Sequence, residues 1–282
     1  METLFVQDVV LSEKDFRKIS DLVYKHCGIN LHDGKKELVR ARLAKRLRNG
    51  NFKTFPEYMR YVMEDKTGRE FSMLIDSLST NLTAFFREKQ HFEFMRESFL
   101  PRLLERNRRD RNFRIRCWSA GCSSGEEPYS IAITLHEAVD KQGRWDIKVL
   151  ATDISTSILE KAREGVYEQE RVAPVPPLQK NKYLVLHQQD GQKVFEAGKI
   201  LKDIVVFKYL NLQKEWPLKG PLDFIFCRNV MIYFDKPTQQ RLINRFWELL
   251  SPGGILFTGH SESLTGIEHR FDYIQPTIYM KA

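Results

Sequence analysis

The stretch WSAGCSSGEEPYS, Trp118–Ser130, sets two carboxylates, Glu126 and Glu127, behind a turn that contains Gly121 and Gly125. The turn follows an apolar run and precedes a helical pattern, which is where doubly wound folds hold phosphate on free helix N–H groups. Yet neither G-x-G-x-x-G nor G-x-x-x-x-G-K-[ST] is present. Carboxylates at this place repel phosphate and accept a cation, while the helix start can still take a carboxylate. S-Adenosylmethionine combines those features: adenosine, sulfonium, ammonium and carboxylate, with no phosphate. The competing reading is that the two acids only suit the dipole of a helix start, at about 0.3–1 kcal/mol each. Asp153 ends the next strand, where an acid can accept from ribose hydroxyls or cap the following helix. Asn211 ends the third strand and is placed to meet an adenine edge.

From residue 113 onward, strands and helices alternate: FRIRCWSA, EEPYSIAITLHEAVD, IKVLATD, STSILEKAREG, IVVFKYLNL, LDFIFC, PTQQRLINRFWELL, ILFTGH and a last pair in FDYIQPTIYMKA. This predicts a mostly parallel sheet with helices on both faces. Prolines 174, 176 and 177, then YLVLH and KVFEAG around Asp190-Gly191, predict a hairpin insert over 165–205. Residues 12–110 read as helices. Ser12 caps the first, with Phe16, Ile19 and Val23 on its apolar face. The second, KKELVRARLAKRLRNG, has Leu38, Val39, Leu43 and Leu47 as its buried stripe, and further helices fit 54–64, 69–78 and 84–106. The expected division is a helical domain over 1–80, a connecting segment and helix over 81–112, and the sheet domain over 113–282.

Charge is uneven along the chain. Residues 1–116 hold 25 Lys+Arg and 17 Asp+Glu, so the net +8 of the chain lies there, while residues 117–282 hold 20 of each. A basic front points to an acidic partner: nucleic acid, anionic membrane or an acidic protein surface. No run approaches the ~18 apolar residues a membrane span needs. METLFVQDVVLSEKDF has no basic segment followed by an apolar run, so no secretory signal is expected and the cytoplasm is the expected location. The four cysteines fit no zinc or iron–sulfur spacing and read as buried thiols.

TNLTAFFRE (80–88), WSAGCSSGEEPYSIA (118–132), FCRNVMIYF (226–234) and GHSE (259–262) together resemble the chemotaxis receptor methyltransferases, the CheR family. The resemblance runs from about Leu11 to the C-terminus. It implies a class I S-adenosylmethionine methyltransferase (Rossmann-like) α/β sheet, with a small inserted antiparallel β subdomain and an all-helical N-terminal domain. It also implies transfer of methyl to glutamate side chains of chemoreceptors, leaving S-adenosylhomocysteine, with no metal. By the family pattern, Asn81, Thr83, Arg87, Glu127, Asp153, Asn211, Leu212, Arg228 and Asn229 contact the cofactor. Arg87 and Tyr233 lie near the reacting centre. The basic helix with Arg42 and Arg46 docks the helical cytoplasmic domain of the receptor, and the β insert grips a receptor C-terminal peptide in some relatives. One departure is AGCSSGEE where the family has AAASTGEE; the extra glycine is expected to loosen that turn.

The chemistry is coherent on its own terms. A glutamate carboxylate, with a pKa near ~4.3, is ionised at neutral pH and needs no general base. Positioning supplies the rate. Arg87 can orient carboxylate oxygens in a fork, and the Tyr233 hydroxyl can steer a polar group beside the sulfonium. Arg87 is expected in the first turn of the 84–106 helix, a mild misfit with the dipole. Two alternatives remain: a nucleic-acid methyltransferase with a basic reading domain, and a non-catalytic cofactor sensor. Against the first, RNVMIYF lacks the (N/D)-P-P-(Y/F) pattern of amine methylases, and no aromatic interleaves the basic helix. Nucleic acid and membrane insertion are therefore not expected.

Overall fold

In the computed structural model, which describes residues 10–140, 142–143, 145–189 and 191–282, four helices come first. The expectation about a signal segment rests largely on residues 1–9, which lie outside the described residues. α1 (Glu13–Cys27) begins at Ser12, whose hydroxyl accepts from the Asp15 amide at 3.1 Å, and ends at Gly28 with φ 72°. α2 spans Lys36–Asn49, α3 spans Phe55–Glu64 behind the Thr54 cap, and α4 spans Arg69–Leu78. Phe16, Ile19, Val23, Val39, Leu43, Leu47, Phe55, Leu74 and Ile75 close their common core. Leu38 does not join it: it is 43% exposed and faces a cavity instead.

The helix expected over 84–106 starts later. Residues 79–88 form a non-helical strap in which Phe86 and Glu88 take positive φ, 52° and 58°. α5 (Lys89–Phe94) then leads through a π-helical turn, Met95–Phe99, into α6 (Leu100–Arg109). Pro101 lacks the amide that would bond one turn back, and the irregular turn lies there. Arg87 therefore precedes the helix, and the expected dipole misfit does not arise.

The sheet comprises β1 (Arg114–Ala120), β2 (Asp146–Asp153), β6 (Val205–Tyr209), β7 (Leu222–Cys227), β8 (Leu250–Thr258), β9 (Phe271–Gln275) and β10 (Ile278–Lys281). Their order is β6-β2-β1-β7-β8-β10-β9, parallel as far as β8, with β10 and β9 antiparallel. α7 (Glu126–Val139), α8 (Thr156–Glu164) and α11 (Lys236–Leu249) are its main helices. Two apolar layers result. Tyr129, Ile131, Val149, Phe224 and Phe257 fill one; Trp118, Ile225, Phe246 and Leu256 fill the other. The order turns outward on either side of the β1–β7 pair, which opens a crevice beyond their carboxyl ends.

The insert carries one strand more than the expected hairpin. β3 (Val166–Glu168), β5 (Gln192–Ala197) and β4 (Leu184–Gln189) pair antiparallel in that order. α9 (Pro177–Tyr183) and α10 (Lys199–Ile204) flank them. Asp190 of the expected Asp190-Gly191 turn lies outside the described residues.

Candidate active site

The crevice deepens into a cavity where β1 gives way to the glycine turn and β7 to Arg228-Asn229. Cys27, Ile29, Leu31, Lys35, Leu38 and Arg42 wall it from the N-terminal helices, and the strap 79–83 closes one side. Asn81, Thr83, Arg87, Glu127, Asp153, Asn211, Leu212, Arg228, Asn229 and Tyr233 all line this one cavity.

The glycine turn is tight. Gly121 and Cys122 donate their amides to the Thr152 carbonyl (2.8 and 2.9 Å), Gly125 donates to Cys122 (3.1 Å), and Ser123 N donates to Asp153 Oδ2 (2.8 Å). A Cβ on Gly121, which has φ 85°, would stand 2.3 Å from Val230 Cγ2. The extra glycine thus does not loosen the turn; it lets the turn pack against the loop after β7. With these amides already engaged, the turn has little left to cradle a phosphate.

The two neighbouring acids separate. Glu126 is fully buried and faces away, paired with Arg171 of the insert and accepting from Ser124 Oγ at 2.7 Å. Glu127 lines the cavity; Ser119 Oγ donates to its Oε1 and Arg228 Nε to its Oε2, both at 2.7 Å. Asp153 also accepts from Ser155 N at 3.0 Å, and burial pushes its carboxyl up from the usual range while those amides pull it back.

Arg228 faces inward more than the family pattern implies. Its Nη1 donates to the Arg87 carbonyl (2.6 Å), to His91 Nδ1 (3.1 Å) and, more loosely, to Glu88 Oε2 (3.4 Å). It fastens the strap to Glu127 as well as lining the cavity. Glu88, His91 and His260 bring ligand atoms within 4.8 Å of one another, but the Arg228 guanidinium already bonds to two of them as a fixed cation. Burial, then the Arg228 charge, pushes the His91 imidazole down to about 3.

Asn211 lines the cavity with its amide engaged. Its Nδ2 donates to the His26 carbonyl (2.6 Å) and its Oδ1 accepts from Gln213 N (2.9 Å), so its amide locks α1 to the loop after β6. Arg42 reaches across to the Leu78 carbonyl and to Thr80 Oγ1 (2.6 Å), at the cavity rim. Arg46 does not line the cavity. Glu70 holds its guanidinium in a fork at 2.6 and 2.5 Å, so the side chain expected to dock substrate bridges α2 to α4. Arg87 Nη1 donates to the Leu82 carbonyl at 2.7 Å, and the Tyr233 carbonyl accepts from Asn30 N at 2.8 Å. Cys27, Ile29, Leu31 and Lys35 of the N-terminal wall, and His91, escaped the sequence reading: the role of each depends on a distant element.

The donor set fits S-adenosylmethionine. Ile154, Leu210, Leu212 and Phe234 give apolar surface for a flat ring, Asp153 offers a carboxylate to hydroxyls, and Glu127 stands where a cationic group can approach.

Residues 14–79 match the all-alpha domain of CheR methyltransferases, and residues 81–280 match their SAM-binding domain. The chemotaxis protein methyltransferase of Borreliella burgdorferi is 42% identical over 279 residues, 98% of this chain and 97% of that protein. That of Escherichia coli K12 is 43% identical over 273 residues, 96% of this chain and 92% of that protein. Chemotaxis protein methyltransferase 2 of Pseudomonas aeruginosa is 41% identical over 282 residues, 98% of this chain and 96% of that protein. With both halves matched along nearly the full length, the chain belongs to the CheR methyltransferase family and carries its class I S-adenosylmethionine-dependent methyltransferase fold.

Proposed function

We propose that this enzyme methylates glutamate side-chain carboxylates on the cytoplasmic helical domain of chemoreceptors, forming the glutamate 5-O-methyl ester. The observation that carries the reading is the single cavity in which Arg87 and Tyr233 stand with Glu127, Asp153 and Asn229. Asn81, Thr83, Glu127, Asp153, Leu212, Arg228 and Asn229 would hold the cofactor, Asn211 acting through its fixed position. Bound there, S-adenosylmethionine would supply a methyl carbon to which the carboxylate oxygen bonds in line as the carbon–sulfur bond breaks, S-adenosylhomocysteine being the leaving group and no proton needing removal. The role of Arg87 is to orient the incoming carboxylate by the guanidinium edge that does not hold Leu82. Tyr233, with Lys35 Nζ 5.5 Å from its ring centre, keeps the mouth polar and positive toward an acid. Arg42 stands at the same mouth, and the basic face of α2 beyond it meets the acidic receptor surface. β4 ends the small sheet with Val185 and Leu186 half-exposed, an edge on which a receptor C-terminal peptide can add as a strand. Among the described residues no helix is long and apolar enough to cross a membrane. The receptor domain proposed as substrate is cytoplasmic, so the enzyme would act there.

The test is radiolabelled methyl transfer from S-adenosylmethionine to receptor fragments, followed by mild alkali. Label released as methanol supports the ester; label stable to alkali, or found on nucleic acid, overturns it. Arg87→Ala is expected to lower turnover by about a hundred- to a thousandfold while circular dichroism stays that of the parent. Full activity in that variant removes Arg87 from the reacting centre.

A further inference from the structure

The acid of the GHSE turn, Glu262, lies outside the cavity lining. Glu262 is buried, 5% exposed, and no ion pair reaches it among the described residues. Its Oε2 accepts from the amides of Asn229 and Gly259, both at 2.7 Å, and its Oε1 from the amide of Ile232 at 3.1 Å. Asn229, at φ 60°, is in the left-handed region. A buried carboxylate bonded to two amides of the loop after β7, one of them on a residue in the left-handed region, fixes that loop's shape.

Gly259 makes the arrangement possible. A Cβ there would stand 2.6 Å from Asn229 Nδ2, 2.7 Å from Glu262 Oε2 and 2.8 Å from Asn229 N. The glycine and the acid three residues later are therefore one device: the first leaves the space that the second fills with an acceptor. The same turn reaches the other side of the cavity, since His260 N donates to Glu88 Oε1 at 3.2 Å.

We propose that Glu262 is a positioning residue for methyl transfer, holding the loop Asn229–Tyr233 against the cavity; this rests on the reading of that cavity as the methyl-transfer site. The loop presents Asn229, Val230 and Tyr233 to the cavity. Its far end carries the Tyr233 carbonyl that accepts from Asn30, so Glu262 also sets where the N-terminal wall meets the loop.

The test uses Glu262→Gln in the full chain. Glutamine keeps the shape but turns an NH2 toward at least one of the three amides, so a bond to a charged acceptor is lost and a repulsive contact replaces it. Amide exchange followed by mass spectrometry is expected to be at least about tenfold faster in peptides covering 228–234, with β1 and α7 unchanged. With receptor fragment as substrate, kcat is expected to fall at least about tenfold while KM for the receptor stays within about threefold. Gly259→Ala should give the same signature by another route and carries the test if Glu262→Gln does not fold. The double variant should lose no more than the worse single one, because both act on one turn. Unchanged exchange at 228–234, or activity within twofold of the parent, overturns the proposal. A parent that labels no receptor sinks the receptor reading instead, and the exchange result still decides Glu262.

Discussion

Glu126 and Glu127 are neighbours in sequence with opposite fates, and the difference shows what a residue type can reveal. Both suit a helix start, and that much was legible. Residue type alone did not say which one faces the cavity, and only the family pattern singled out Glu127, because the separation depends on Arg171 in the insert and Arg228 after β7, each far along the chain. His91 is a sharper case: nothing around it in sequence marks it, yet it is 1% exposed and accepts from Arg228. Its imidazole is held at about 3 in the fold, against about 6.5 when exposed. The unfolded chain therefore binds a proton below pH ~6.5 that the folded chain refuses until about 3. Stability from His91 is full above ~6.5 and falls by up to about 1.4 kcal/mol per pH unit below it. Asp153, Asp223 and Glu262, raised by burial, act with the opposite sign. The readout is thus the difference between parent and His91→Gln. Between pH 7.5 and 5.0 the variant's melting temperature should fall less than the parent's, even if it starts lower. Parallel curves would show that His91 titrates normally.

At the scale of elements, the helices with caps and periodic apolar faces could be read directly, as α1 and α3 show. The strap 79–88 could not. Its apolar run, TAFF, looks helical, but Phe86 N donates to Ser130 Oγ at 2.9 Å and Ser123 Oγ donates to the Asn81 carbonyl at 2.9 Å. Those bonds come from α7 and the glycine turn, and they replace the helical ones. β3 was missed because three residues are too few for a period to appear. α2 shows a subtler miss, since a basic face is equally consistent with docking and with internal ties. Arg46 belongs to the second kind: its side chain is 16% exposed and that of Glu70 6%. Breaking such a pair from one side leaves a buried charge, at about 3–5 kcal/mol when fully buried and less here. Arg46→Ala should lower the unfolding free energy by about 2–4 kcal/mol in urea melts. Arg46→Ala/Glu70→Ala should recover part of that loss. If Arg46→Ala instead leaves stability intact and raises only the receptor KM, Arg46 is a docking residue after all.

For the whole molecule, the sequence divides into a basic front and a neutral remainder, and the fold sets the front as one wall of the cavity. Under the proposed function, a partner carrying the reacting carboxylate would meet Lys35 and Arg42 at that wall. Some of the charge of the front is already balanced, since Lys36 pairs with Glu13 and Arg40 with Glu37. Lys45 and Arg48 are exposed and carry no ion pair among the described residues, so they are the cations an acidic helix would meet. Attraction between exposed charges is screened over about 10 Å at 0.1 M salt, whereas contacts inside the cavity are screened far less. The two kinds of interaction should therefore separate in one titration. Between 50 and 300 mM NaCl, kcat/KM for receptor fragments should fall at least about fivefold, while the affinity for S-adenosylhomocysteine changes less than about twofold. Lys45→Glu/Arg48→Glu should raise the receptor KM at low salt and flatten the salt dependence, with cofactor affinity unchanged. A salt-independent kcat/KM in the parent would mean that the receptor reaches the cavity without crossing α2, and the basic front would need another partner.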